Sequence, residues 1–261
     1  MKSQWKVLAL LAVTLAMVVA YGCQEEELVF NLALTKPDLR GWLRSDSTAC
    51  TAEEVAETTA IPADMTEHVT ETAIDSAHQT ILFFGDSMLE GLSRRFADYA
   101  VQNGHELYTV IWYSSSTQQW AETDTLQYFM QTYKPTFLVM CIGSNELFVK
   151  DLSRRDTYIK EIVRKIGDTP YVWISPPNWK DDTGINDLII RNIGPRHYFD
   201  SRHLELARKR DHAHPTFPAA AIWMDSVAVW MSSQRSQHPI LMDFPEQDVK
   251  LENLTLLLPP Q

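Results

Sequence analysis

The amino-acid sequence predicts an α/β fold, a doubly wound parallel sheet of about five strands with helices on both faces. Three observations lead there. Residues 81–84, 137–142 and 171–174 are short apolar runs without a charged side chain, as expected of strands covered on both faces. Between them lie segments with helical spacing, such as Leu92, Phe96 and Tyr99, or Ile159, Ile162, Val163 and Ile166. Polar, turn-forming residues follow the strands, as at Gly85-Asp86-Ser87 and Gly143-Ser144-Asn145. Strands that alternate with helices form parallel sheets, because a parallel neighbour needs a crossover.

Taken in order, residues 1–22 stand apart from this pattern. Lys2 and Lys6 form a short basic head, and residues 7–20 carry no charge. That run is shorter than the roughly 20 residues of a membrane span. With its basic head it is expected to be a signal peptide. Gly22-Cys23 resembles a bacterial lipobox, which makes Cys23 the expected lipidation site and mature N-terminus. A plain signal peptide or an uncleaved anchor helix is the alternative. In every version the chain is exported to the cell envelope, and in the first it is tied to a bacterial membrane through lipid on Cys23.

Residues 23–79 are expected to form an acidic extension. Positions 24–78 hold 12 Asp/Glu against 3 Lys/Arg, and 45–79 contain no aromatic residue. Such a composition suits a solvated tether better than a core. Most of the net charge of −11 lies here, and an acidic chain lacks the basic footprint that a nucleic-acid partner requires. Besides Cys23 only Cys50 and Cys141 remain, too few for a disulfide framework. No Cys/His spacing suggests a metal site.

The domain proper is expected over residues 80–238. It begins with the strand at 81–84 and a helix over 89–103, then strands at 107–113 and 137–142. A helix follows over 153–166, then a strand at 171–174 stopped by Pro176-Pro177. Tyr198 and Phe199 mark a fifth strand, and a helix over 217–231 closes the domain. Residues 239–261 form a tail, apolar in patches, expected to latch onto the domain or a partner. In open parallel sheets ligands bind beyond the carboxyl ends of the strands. The loops at Ser87, Ser114 to Ser116 and Asn145 should therefore converge on one edge.

Those loops carry the residue types of acyl transfer. A serine hydroxyl needs a base to remove its proton, and the base needs an acid to orient it. Ser87 sits just after a glycine turn and before a helix, where its N–H can face an anion; the bland alternative is that Asp86 or Ser87 caps the helix. Asp211 and His214 are three residues apart in Asp211-His212-Ala213-His214-Pro215-Thr216, so one carboxylate can hold one ring nitrogen and leave the other free. His212 competes with His214 for this role. Asn145 can offer an amide N–H to a developing oxyanion, or be an ordinary turn residue. Trp120 and Trp179 lie in loops near the expected edge, where each either stacks on a sugar or packs in the core.

Order and context of these blocks resemble the SGNH (GDSL-type) hydrolase family, over roughly residues 80–231. Gly85-Asp86-Ser87-Met88 matches its serine block, Gly143-Ser144-Asn145-Glu146 its Gly-X-Asn-Asp block, and Asp211-His212-Ala213-His214 its Asp-X-X-His block. Pro176-Pro177 and Phe199-Asp200-Ser201 fit the same setting. The resemblance implies a flavodoxin-like three-layer sandwich with Ser87 as nucleophile, His214 as base, Asp211 as orienter and Asn145 in the oxyanion hole, completed by the Ser87 N–H. It implies no cofactor. Two positions depart from the family pattern. Glu146 stands for the usual Asp, and Tyr113-Ser114-Ser115-Ser116-Thr117 lacks the glycine whose N–H helps hold the oxyanion. Ser116 N–H is the expected substitute.

The function this implies is serine-dependent hydrolysis of an acyl ester through an acyl-serine intermediate. An acetylated carbohydrate of the cell envelope is the preferred substrate. Two alternatives stay open. One is an O-acetyltransferase that takes acetyl from a membrane-bound donor partner to an envelope polysaccharide. The other is a non-catalytic glycan-binding protein on the same scaffold.

Overall fold

The structure is a computed structural model that describes residues 72–258. The expected signal peptide, Cys23, Cys50 and most of the acidic extension lie outside the described residues. Strand β1 (Thr80–Gly85) leads into α1 (Leu89–Gln102), and β2 (Glu106–Trp112) into α2 (Thr117–Glu122) and α3 (Thr125–Tyr133). Then come β3 (Phe137–Cys141), α4 (Ser153–Ile166), β4 (Tyr171–Ile174), α5 (Ile185–Ile193), β5 (Tyr198–Phe199), α6 (Phe217–Met231) and β6 (Leu254–Leu257). The six strands form one sheet in the order β5-β4-β3-β1-β2-β6, and every neighbouring pair is parallel.

Alternation along the strands divides the core in two. Successive side chains point to opposite faces of a sheet. Ile81 and Phe83 pack with Leu92, Phe96, Trp223 and Val227 of α1 and α6. Leu82 and Phe84 pack with Trp120, Phe129, Ile162 and Ile189 of α2, α3, α4 and α5. This is the doubly wound α/β sheet that the sequence predicts. Its chain order reverses between β1 and β3, which are hydrogen-bonded neighbours, and a crevice opens at such a reversal.

The sheet has one strand more than expected, and it comes from the tail. Val249 N–H donates to Asp98 Oδ1 at 2.7 Å, and the Asn103 side chain grips Asp243 through both its N–H (2.8 Å) and its carbonyl (3.0 Å). The tail then pairs with the free edge of β2, Thr109 opposite Leu254 and Trp112 opposite Leu257. Four residues with half-exposed side chains carry little periodic signal, and their partner is far off in sequence. The segments 117–122, 125–133 and 185–193 also fold as helices that the pattern reading did not pick out. Among the described residues, no helix is long and apolar enough to cross a membrane.

Helices α1 and α6 cross at Gly91, where a Cβ would lie 2.6 Å from Ala220 Cβ. Helix propensity alone favours alanine over glycine by about 1 kcal/mol. We expect Gly91→Ala to lower the urea midpoint instead, because overpacking a close crossing costs about 1–3 kcal/mol. A raised midpoint would show that the helices move apart freely.

Candidate active site

The first loop is built on a close approach of two strands. A Cβ on Gly85 would lie 2.0 Å from the Cys141 carbonyl oxygen, so only glycine fits at the end of β1. Asp86, next in sequence, donates its N–H to that same carbonyl at 3.1 Å. Its side chain is fully buried. The carboxylate accepts from Met88 N–H at 3.0 Å, Ser144 N–H at 3.2 Å and Ser144 Oγ at 2.5 Å. Burial pushes the Asp86 carboxyl up to about 6, and the Ser144 and Met88 hydrogen bonds offset only part of that rise. Ser87 follows, partly exposed, just ahead of α1; among the described residues its own N–H has no acceptor, whereas those of Met88, Leu89 and Glu90 are bonded to Asp86 and Ser87.

A tight return ahead of α6 carries the candidate base, His214. Lys209 N–H donates to His214 O at 2.7 Å and Thr216 N–H to Ala207 O at 2.8 Å, so residues 207–216 double back on themselves. Arg208 fastens this turn: its guanidinium donates to Ala213 O at 2.6 Å, Asn178 O at 3.1 Å and Pro177 O at 3.3 Å. Within the turn, Asp211 accepts from Ala213 N–H, His214 N–H and His214 Nδ1, each at 2.9 Å. The Ala213 N–H, then the His214 N–H and ring, hold its carboxyl well below the usual carboxylate range. An ionised carboxylate only accepts, so the ring hydrogen sits on Nδ1. His214 Nε2 then accepts from the Ser87 hydroxyl at 2.8 Å, across 127 sequence positions. His212 has φ 58° and is exposed; it takes no part in these bonds.

The third loop is tied to both of the others. Ser144 joins it to Asp86, which brings the following residue, Asn145, near Ser87. Asn145 is exposed and donates from Nδ2 to Ser115 O at 2.8 Å. An amide nitrogen carries two hydrogens, so a second is left for a ligand. Glu146 is fully buried. It accepts from Thr117 N–H at 2.8 Å and Thr117 Oγ1 at 2.7 Å, and lies 2.8 Å from Arg155 Nε. The longer Glu146 side chain thus locks the third loop to the second.

Several expectations are corrected here. Ser116 caps α2, and its N–H is donated to Gln119 Oε1 at 2.9 Å, so it is not free for an oxyanion. Ser114 is the residue of that segment with φ 60°, the conformation that favours glycine; among the described residues its N–H has no acceptor. Trp120 is wholly buried, packs on Phe84 and Trp112, and donates from Nε1 to Ser115 Oγ at 3.0 Å. It is a core residue, because α2 lays its side chain against the sheet face that carries Phe84 and Trp112. Trp179 is only partly buried and meets Phe148 edge to face, ring centroids 5.7 Å apart. Cys141 is a buried free thiol.

Pattern reading missed Arg208 and the buried roles of Asp86 and Glu146. Both acids stand directly after an apolar strand run and a glycine turn, a place where a charge is buried only with dedicated donors. Arg208 sends no local signal, since its acceptors are carbonyls of a distant loop.

No family model matches the chain, and no curated protein matches it. Among solved structures it is similar to a protein described as lipolytic, of the G-D-S-L family, from Desulfitobacterium hafniense DCB-2. Identity is 15%, the match covers 58% of this chain and 98% of that one, and the TM-score is 0.39.

Two outcomes follow from the buried acids. The folded Asp86 value, about 6, exceeds its ordinary 3.8, so folding favours the protonated acid. Its contribution is fullest below pH 3.8 and is lost as pH rises through 6, by up to about 3 kcal/mol. Urea titrations between these limits should show this slope in the wild type and lack it in Asp86→Asn; equal slopes would reject the burial argument. Glu146→Ala leaves Arg155 without its carboxylate and should cost about 3–5 kcal/mol in the same assay.

Proposed function

We propose that the chain is a serine-dependent acyl-ester hydrolase of the SGNH type. The observation that carries this reading is the unbroken chain of bonds from Ser87 Oγ through His214 to the Asp211 carboxylate. Ser87 Oγ attacks the acyl carbon while His214 Nε2 takes its proton. The carbonyl electrons move to oxygen, stabilised by the Ser87 N–H and the Asn145 amide. As the tetrahedral intermediate collapses, His214 returns the proton to the leaving alcohol, which departs and leaves acyl-Ser87. Water, deprotonated by His214, then attacks the acyl carbon; as the acyl–Oγ bond breaks, His214 returns the proton to Ser87 Oγ and the acid leaves. Asp211 keeps the imidazole in the tautomer that can accept and stabilises its charged form.

Within this reading the substrate is an acetylated carbohydrate of the cell envelope. What supports it is the open, polar setting of Ser87: Asn145 and Asp211 are exposed, which suits a hydrophilic ester. The Gly22-Cys23 pair supports an exported chain held to a bacterial membrane by lipid on Cys23.

Ser87→Ala should lower p-nitrophenyl acetate turnover by at least about 10³-fold. Asp211→Asn should lower kcat by about 10³–10⁴-fold, because asparagine selects the wrong tautomer. Equal rates for wild type and Ser87→Ala would end the hydrolase reading. Slow hydrolysis with fast acetyl transfer to an added oligosaccharide would make the chain a transferase. Cys23→Ser should release the protein from membranes in a fractionation assay; continued association would count against lipidation.

A further inference from the structure

We propose that the depression beside the 208–212 turn binds the alcohol half of the ester as a sugar ring, with Trp179 as its aromatic wall. The proposal rests on the hydrolase reading for its place in the reaction. Its physical basis is separate. An open depression of about 610 Å³ is lined by Trp179, His203, Glu205, Leu206, Arg208 and His212. These residues follow β4 and β5 in the chain, so they stand at the same carboxyl edge of the sheet as Ser87 and Asn145.

The direction of proton transfer selects this side of Ser87. The leaving oxygen must receive its proton from His214 Nε2, so the alcohol has to lie on the His214 side of the acyl carbon. The depression shares Arg208 and His212 with the turn that carries His214, and the body of the alcohol extends into it. A pyranose presents C–H groups on its faces and hydroxyls around its rim. Its complement is an aromatic surface surrounded by polar groups with hydrogen-bonding capacity to spare. Trp179 supplies the surface, oriented by Phe148. His203, Glu205 and His212 are exposed, and among the described residues their side chains make no hydrogen bond. Arg208 is spent on three backbone carbonyls, so it shapes the wall without being available to the ligand.

The test uses the full chain with O-acetylated tetrasaccharides of glucose, xylose and N-acetylglucosamine, beside ethyl acetate, whose alcohol is too small to fill the depression. Trp179→Ala should lower kcat/KM for at least one tetrasaccharide about tenfold relative to ethyl acetate, mainly through KM. Trp179→Phe should recover most of that loss. An unchanged ratio for all three sugars overturns the subsite. Should Trp179→Ala not fold, the double change His203→Ala with His212→Ala carries the same ratio test. Calorimetric titration of the tetrasaccharides into Ser87→Ala reads binding without turnover. Binding that Trp179→Ala weakens about tenfold supports the subsite even if Ser87→Ala leaves hydrolysis intact, so failure of the hydrolase reading and failure of the subsite give different results. Absence of binding to Ser87→Ala for every sugar overturns the proposal.

Discussion

A fully buried carboxylate, Asp86, holds the candidate site together. It joins the end of β1 to the start of the third loop through Ser144, and its own N–H is anchored on β3 at Cys141. An isolated carboxylate at this depth is costly. Three donors from two loops make it tolerable, and they exist in this arrangement only while the loops stay in register. Burial of one charge therefore becomes a constraint on the position of two neighbours, Ser87 and Asn145. The same logic repeats one loop further on, where Glu146 spends both oxygens on Thr117 and pairs with Arg155.

The two carboxylates of the candidate site sit in opposite environments. Asp86 is dry, and its charged form is disfavoured. Asp211 is exposed and surrounded by donors from its own turn, and its charged form is favoured. Only the second can serve as a permanent acceptor for an imidazole hydrogen. The first is suited to holding structure. Two acids of the same type are thus separated in role by desolvation on one side and hydrogen bonding on the other.

The second loop shows how an absent glycine is accommodated. The left-handed conformation is taken by Ser114, and the capping box of α2 absorbs the N–H and hydroxyl of Ser116. Serine in that region is strained relative to glycine. The loop is restrained on both sides, since Asn145 bonds the Ser115 carbonyl and Thr117 bonds Glu146. A backbone geometry that glycine would adopt freely is here imposed by neighbours.

The architecture was largely legible in the letters. A strand covered on both faces must be apolar throughout, and a covering helix must repeat its apolar residues every three or four positions, so β1, β3, β4, α1 and α4 announce themselves locally. Ser87, Asn145, Asp211 and His214 stood out as candidates for a related reason: each sits in a short polar motif beside such an element. Long-range facts were not legible. No local pattern says that Ser87 Oγ and His214 Nε2 lie 2.8 Å apart. None says that Leu254 pairs with Thr109, or that Trp120 is core while Trp179 stays partly exposed. Those outcomes depend on how packed layers bring distant segments together. Local pattern records which surfaces must leave water, and only the assembled sheet decides which distant groups then meet.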